Sequence, residues 1–304
     1  MAANDKLFAE APQNACPAYT NLRNATDGPC RSGREHCEDL WNDFALLADK
    51  NFLVEFPVRF HQRWFEMYLT VALMRLGMAV QCPKPGPDIL VTVDGRRVWI
   101  EAVCASPGAA GKPDSVPEPE YVRAGDNPIV SSVPKDQMVL RLRNSLAEKQ
   151  TQYQRYLDSG IVNQDDILAV AINVHAVHGL WANMGDIVMR ALYGVGDLVV
   201  SLDRNTGTIV SSHHAQVSSI EKKLSGAQVG VEPFTDSSMP HIAAVLGSRA
   251  DAVNLPQRLG DDCALYPNLS SMVSWRPNTI RFGEEWTFVE SDEGWDGSRT
   301  SHKD

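Results

Sequence analysis

The dipeptide Asp94-Gly95 lies between two β-rich runs, Ile89 to Val93 and Arg96 to Val103, and it constrains the fold more than any other short segment. Asp-Gly tolerates the positive φ angles of a two-residue type I′ turn, so the runs form an antiparallel hairpin. The turn also sets the register: Val93 pairs with Arg96, and counting outward puts Asp88 directly across from Glu101. Opposed residues have Cβ atoms about 4.5 to 5.5 Å apart, and two carboxylates at that spacing repel. Either a cation compensates them, or Asp88 caps a turn while Glu101 faces solvent at the sheet end.

The elements around the hairpin read as α/β. Pro57 suits a first helical position and Gly77 a stop, which predicts a helix over Val58 to Leu76. Phe60, Trp64, Met67, Tyr68, Val71 and Met74 share one apolar face of it, extended by Phe65, Leu69, Ala72 and Leu76. The remaining polar arc carries Arg59, Gln62, Arg63, Glu66 and Thr70, either as a solvated edge or as the side that presents Glu66 to a site. Six prolines between Ser106 and Pro134 mark a long loop, and a helix follows to Leu157. Ile167 to Val174 is an apolar run suited to a strand buried on both faces. A helix over Met184 to Tyr193 and strands near 198–202, 208–212, 241–246, 272–275 and 286–289 complete a mixed central sheet flanked by helices. Ser32-Gly-Arg-Glu35 reads as a capping box that opens the first helix. The expected organisation is an irregular N-terminal arm over 1–31, an α/β domain over 32–290 and a flexible tail over 291–304.

The 304 residues carry a net charge of −10, so the chain has no global field to attract nucleic acid, and a phosphate-binding surface must be local. Arg96, Arg97, Arg141, Arg143 and Arg155 are candidates for that surface, or for ordinary solvated faces. No run approaches the roughly 18 apolar residues of a membrane span. The N-terminus lacks the pattern of a secretory signal, so the expected location is cytoplasmic. The six cysteines form no Cys-x-x-Cys pair and read as free thiols. Cys30, His36 and Cys37 fit no common zinc spacing, and His175 with His178 lacks a third ligand at a useful separation.

On the helix from Pro134, Met138, Val139, Leu142, Leu146, Tyr153, Tyr156 and Leu157 form an apolar stripe, and Lys149 falls inside it. A lysine there either snorkels to the rim or brings its ammonium to buried carboxylates. The second option places it against Asp88 and Glu101, where it can stabilise charge developing on a phosphate. A hard cation held by those two carboxylates is the other natural compensation, with Glu66 assisting.

These residues resemble the PD-(D/E)xK, or restriction-endonuclease-like, nuclease superfamily. The match comprises Glu66 on the preceding helix, Pro87-Asp88 opening a strand, and Glu101-Ala102-Val103 after twelve intervening residues. It spans roughly 57–174, leaving 175–290 as a C-terminal extension. The resemblance implies a restriction-endonuclease-like core and a nuclease that hydrolyses phosphodiester bonds with Mg²⁺ or Mn²⁺. It implies that Asp88, Glu101 and the Ala102 carbonyl ligate the metal and that Glu66 is an auxiliary acid. Val103 stands where the motif has its lysine, and Lys149 is the candidate for a lysine migrated to a helix. Gln152 and Tyr156 reproduce the Gln-x-x-x-Tyr element of some exonuclease-like members. The implied partner is nucleic acid, DNA before RNA, with no membrane, and a homodimer is compatible with the sequence. The alternative is a nuclease-fold module that has lost cleavage and binds nucleic acid or a protein.

Overall fold

The computed structural model describes residues 6–9, 11–119, 132–291 and 294–303. The hairpin forms as its turn chemistry requires. Strands β2 (Ile89–Val93) and β3 (Arg96–Cys104) pair antiparallel with Val93 opposite Arg96 and Ile89 opposite Ile100, after a short β1 (Val80–Gln81) on the outer edge. Asp94 and Gly95 take φ values of 49° and 75°, the left-handed region that the type I′ turn demands.

The rest of the sheet grows from β3. Strand β4 (Ile167–Asn173) lies parallel to β3 and is buried at every position, as its apolar stretch Ile167 to Ile172 predicts, with Asn173 at its end donating to the Ala250 carbonyl. The remaining strands, in chain order, are β5 (Val195–Leu202), β6 (Ile209–Gln216), β7 (Ser219–Glu221), β8 (Gln228–Gly230), β9 (Ala244–Ser248), β10 (Ala264–Pro267), β11 (Glu284–Ser291) and β12 (Gly294–Ser301). The central sheet is mixed, in the order β1-β2-β3-β4-β9-β10-β11-β12, while β5 pairs with β6 and β7 with β8 in two small ribbons.

Alternation along the strands builds a core on each face. Val98, Ile100 and Ala102 of β3, with Ile167, Ala169 and Ala171 of β4, face the N-terminal helices. Those helices are α1 (Pro17–Asn24), α2 (Gly28–Phe44), α3 (Phe52–Glu55) and α4 (Phe60–Arg75). Trp99, Leu168, Val170 and Ile172 point the other way, against α5 (Lys135–Asp158) and α6 (Met184–Tyr193). Glu101 falls in the second set by the same two-residue period.

Four expectations need correction. The segment before residue 32 is no irregular arm, because α1 occupies 17–24 and buries Tyr19 and Leu22 in the core. Helix α2 starts at Gly28 with a proline in its first turn, so Ser32 lies inside it rather than at its cap. Residues 272–275 form no strand, since Trp275 turns inward and donates its indole N–H to the buried carboxylate of Glu285 at 3.0 Å. The tail is a strand: β12 pairs with β11 over its whole length. The middle of the expected loop, 120–131, lies outside the described residues. No helix among them is long and apolar enough to cross a membrane.

Candidate active site

Strand β2 begins at Ile89, whereas its partner continues to Cys104, so the outer edge of β3 is left open beyond residue 100. Open N–H and C=O groups need partners. Two side chains supply them. Asp88, just outside the ladder, accepts the Ala102 N–H through Oδ2 at 3.0 Å. The Gln62 amide closes the next gap, its Nε2 donating to the Ala102 carbonyl at 3.0 Å and its Oε1 accepting the Cys104 N–H at 3.1 Å. A single amide bridging the carbonyl of one residue and the N–H two residues on reproduces the contacts of a parallel strand.

Carboxylates converge on this edge from both faces. Glu66 comes from α4 and is mostly buried, its oxygens held by Gln62 Nε2 at 3.0 Å and Arg63 Nη1 at 2.7 Å. Arg63 also binds Asp49 and Glu55, which makes the polar arc of α4 a packed ion network rather than a solvated edge. Burial and then the nearby Asp88 charge raise the Glu66 pKa against the pull of Arg63. Glu101 is 3% exposed on the α5 face. There Lys149 Nζ lies 2.9 Å from its Oε1, with the lysine side chain 16% exposed. The ammonium has turned inward to the carboxylate, not out to the rim. Burial and the Asp88 charge push Glu101 up to about 7, although Lys149 opposes them. Its second oxygen, Oε2, is buried with no hydrogen-bond partner.

Lys149 continues into a chain along its own helix. Its ammonium donates to Gln152 Oε1 at 3.3 Å, and Gln152 Nε2 donates to Tyr156 Oη at 2.7 Å. Arg155, Gln152 and Tyr156 line an open surface pocket on α5 together with Glu148 and Thr151.

Sequence reasoning missed two participants. Lys84, in the proline-rich segment before β2, places Nζ 3.1 Å from Asp88 Oδ1. Burial works against its charge, yet Asp88, Glu66 and Glu101 hold its pKa above the ordinary lysine value. The four-residue spacing from Lys84 to Asp88 was visible, but only the folded loop aims the two groups together. Gln62 was visible on the arc of Glu66, and nothing local marked it as an edge partner for β3.

The expected basic surface is thinner than its arginines suggest. Arg143 is buried and donates to the Gly230 carbonyl, Arg97 pairs with Asp166 across Trp99, and Arg141 binds Ser106. Among the described residues no group of three or more His, Cys, Asp or Glu side chains is arranged to hold a metal. Comparison with family models, curated proteins and solved structures gives no match for this chain.

Proposed function

We propose that the chain is a metal-dependent phosphodiesterase acting on nucleic acid, DNA before RNA, with a restriction-endonuclease-like core. The observation that carries this reading is the 2.9 Å contact of Lys149 with Glu101, whose other oxygen is buried and unpartnered beside Asp88. An orphaned buried carboxylate oxygen needs a cation or a proton donor. Mg²⁺ and Mn²⁺ suit a site of hard oxygens, and Mg²⁺ is held by one or two carboxylates plus water and substrate oxygens. Glu101, Asp88 and the Ala102 carbonyl fit that donor set, with Asp88 and Ala102 each already holding one or more protein hydrogen bonds. When bound, the cation supplies Lewis-acid polarisation of a phosphate oxygen and lowers the pKa of a water.

The protein groups have separate parts in this scheme. An ammonium has three N–H donors; Glu101 and Gln152 use two on Lys149, which leaves the third for a phosphate oxygen. Donation there strengthens as negative charge builds in the transition state. Glu66 keeps Gln62 in place and thereby the edge of β3 where Ala102 meets Asp88. Gln152 and Tyr156 fix the lysine, and Arg155 beside them on α5 can meet the substrate backbone.

A second reading has its own observation. Lys84 Nζ already occupies Asp88 Oδ1 at 3.1 Å, an oxygen that a metal would need, which favours a nuclease-fold module that binds without cutting. Incubating supercoiled plasmid, linear DNA and RNA with Mg²⁺, Mn²⁺ or EDTA separates the two. Metal-dependent cleavage lost in both Asp88→Ala and Lys149→Ala supports the enzyme; silence on every substrate from a folded protein supports the binding module.

A further inference from the structure

On the opposite face of the sheet from Lys149, α1, α2, the start of α4 and the segments after β4 and β9 line an open-mouthed cavity of about 200 Å³, with no lining residue shared with the carboxylate site. It lies beyond the carboxyl ends of β4 and β9, two parallel neighbours, the place where α/β sheets gather ligands. Phe60 and Trp64 give it aromatic walls, and His61, His175 and Asp251 give it a polar edge.

The polar edge is organised. Asp251 Oδ1 accepts the backbone N–H groups of Val253 and Asn254 at 2.6 and 2.8 Å, which fixes the carboxylate. Its Oδ2 lies 2.8 Å from His175 Nδ1. A carboxylate in that position orients the ring and keeps a proton on Nδ1, so Nε2 is an acceptor in the neutral ring and a donor in the charged one. The ring of His61 stands 6.5 Å from that of His175, and among the described residues neither its nitrogens nor His175 Nε2 have a hydrogen-bond partner. Burial and the neighbouring His175 hold His61 below the usual histidine value, against the pull of Asp251.

This chemistry selects its ligand. Among the described residues no lysine or arginine lines the cavity, so an anion would meet Asp251 without a counter-charge from either. A purely aliphatic guest would leave the imidazole nitrogens unpaired. We infer that the cavity binds a neutral, planar heteroaromatic ring of the nucleobase class, whose edge carries both donors and acceptors for His175 Nε2 and His61, with its faces against Phe60, Trp64 and the aliphatic walls. The inference stands apart from cleavage, since binding is read with the metal removed.

Calorimetric titration of the full chain in EDTA with adenosine, guanosine, cytidine and thymidine tests it, with benzoate as a flat anionic control. Saturable binding of at least one nucleoside, and none of benzoate, is expected. His175→Ala should weaken that binding by at least about tenfold. Ala18→Trp should do the same by filling the cavity from its half-exposed rim on α1, and it decides the matter if the histidine variant fails to fold. Displacement of the nucleoside by a short single-stranded oligonucleotide would show that the ring arrives on a strand, and lack of displacement that it arrives free; both uphold the pocket. Absence of nucleoside binding, equal binding of benzoate, or an Ala18→Trp protein that binds like wild type overturns it.

Discussion

Lys149 Nζ meets Glu101 Oε1 at 2.9 Å, although the lysine belongs to the apolar stripe of α5 and the carboxylate to the middle of a buried strand. Removing one member of a buried pair strands the other, at a typical cost of about 3 to 5 kcal/mol. Because Glu101 already titrates at about 7 and can take up a proton, the cost for Lys149→Ala should fall at or below the lower end of that range. Urea unfolding should show the loss, and the double variant Lys149→Ala with Glu101→Gln should recover most of it. A double variant no more stable than the single one would mean that the contact contributes little.

Cleavage offers a different readout of the same lysine. Under the nuclease reading Lys149→Ala lowers kcat by roughly a hundredfold or more, the scale of one lost transition-state donor, with little change in KM. Single-turnover assays on the plasmid substrate check the split.

Lys84 and Asp88 predict a competition. Since the ammonium occupies Asp88 Oδ1, Lys84→Ala should bind Mn²⁺ more tightly than wild type, and Asp88→Asn more weakly by about tenfold or more. Electron paramagnetic resonance of free Mn²⁺ measures both. Unchanged affinity in Lys84→Ala would show that the lysine does not compete for that oxygen.

The Gln62 amide satisfies two backbone groups at the edge of β3. Gln62→Ala leaves them unpaired, and a destabilisation of about 1 to 3 kcal/mol is expected. Hydrogen exchange locates the effect: the Cys104 amide should lose protection while amides in β4 keep theirs.

Acid should act on the histidine cavity. His61 is held below its unfolded pKa by burial and by His175, with Asp251 pulling the other way. A histidine with a lowered folded pKa contributes stability that is present above the unfolded value and lost as pH falls through the folded one. Wild type should therefore lose more stability than His61→Asn between pH 7.5 and pH 5, read as urea midpoints. Parallel pH profiles would count against a buried neutral His61.

The α1 segment makes a simpler prediction. Tyr19 is fully buried between Phe8, Phe56 and Phe60, so Tyr19→Ala should cost about 3 to 5 kcal/mol, as for other large aromatic truncations. A thermal scan suffices, and a change below about 1 kcal/mol would return this region to the status of an arm.

What the chain determined by itself was local or periodic. Turn chemistry at Asp94-Gly95 set the β2–β3 register, the apolar run at 167–172 announced a central strand, and helical periodicity put Lys149 on the inner face of α5. Each depends on residues close in sequence. Tertiary structure alone decided which groups met at the sheet edge. Lys84 reaches Asp88 through a folded proline-rich loop, and Gln62 serves as a strand only because β2 stops short of its partner. The same holds for α1, whose weakly patterned sequence is helical against an aromatic core assembled from α2, α3 and α4, and for β12, which exists because β11 offers it an edge. A strand edge or a hydrophobic wall is made by residues far apart in the chain, and no local pattern encodes where it will stand.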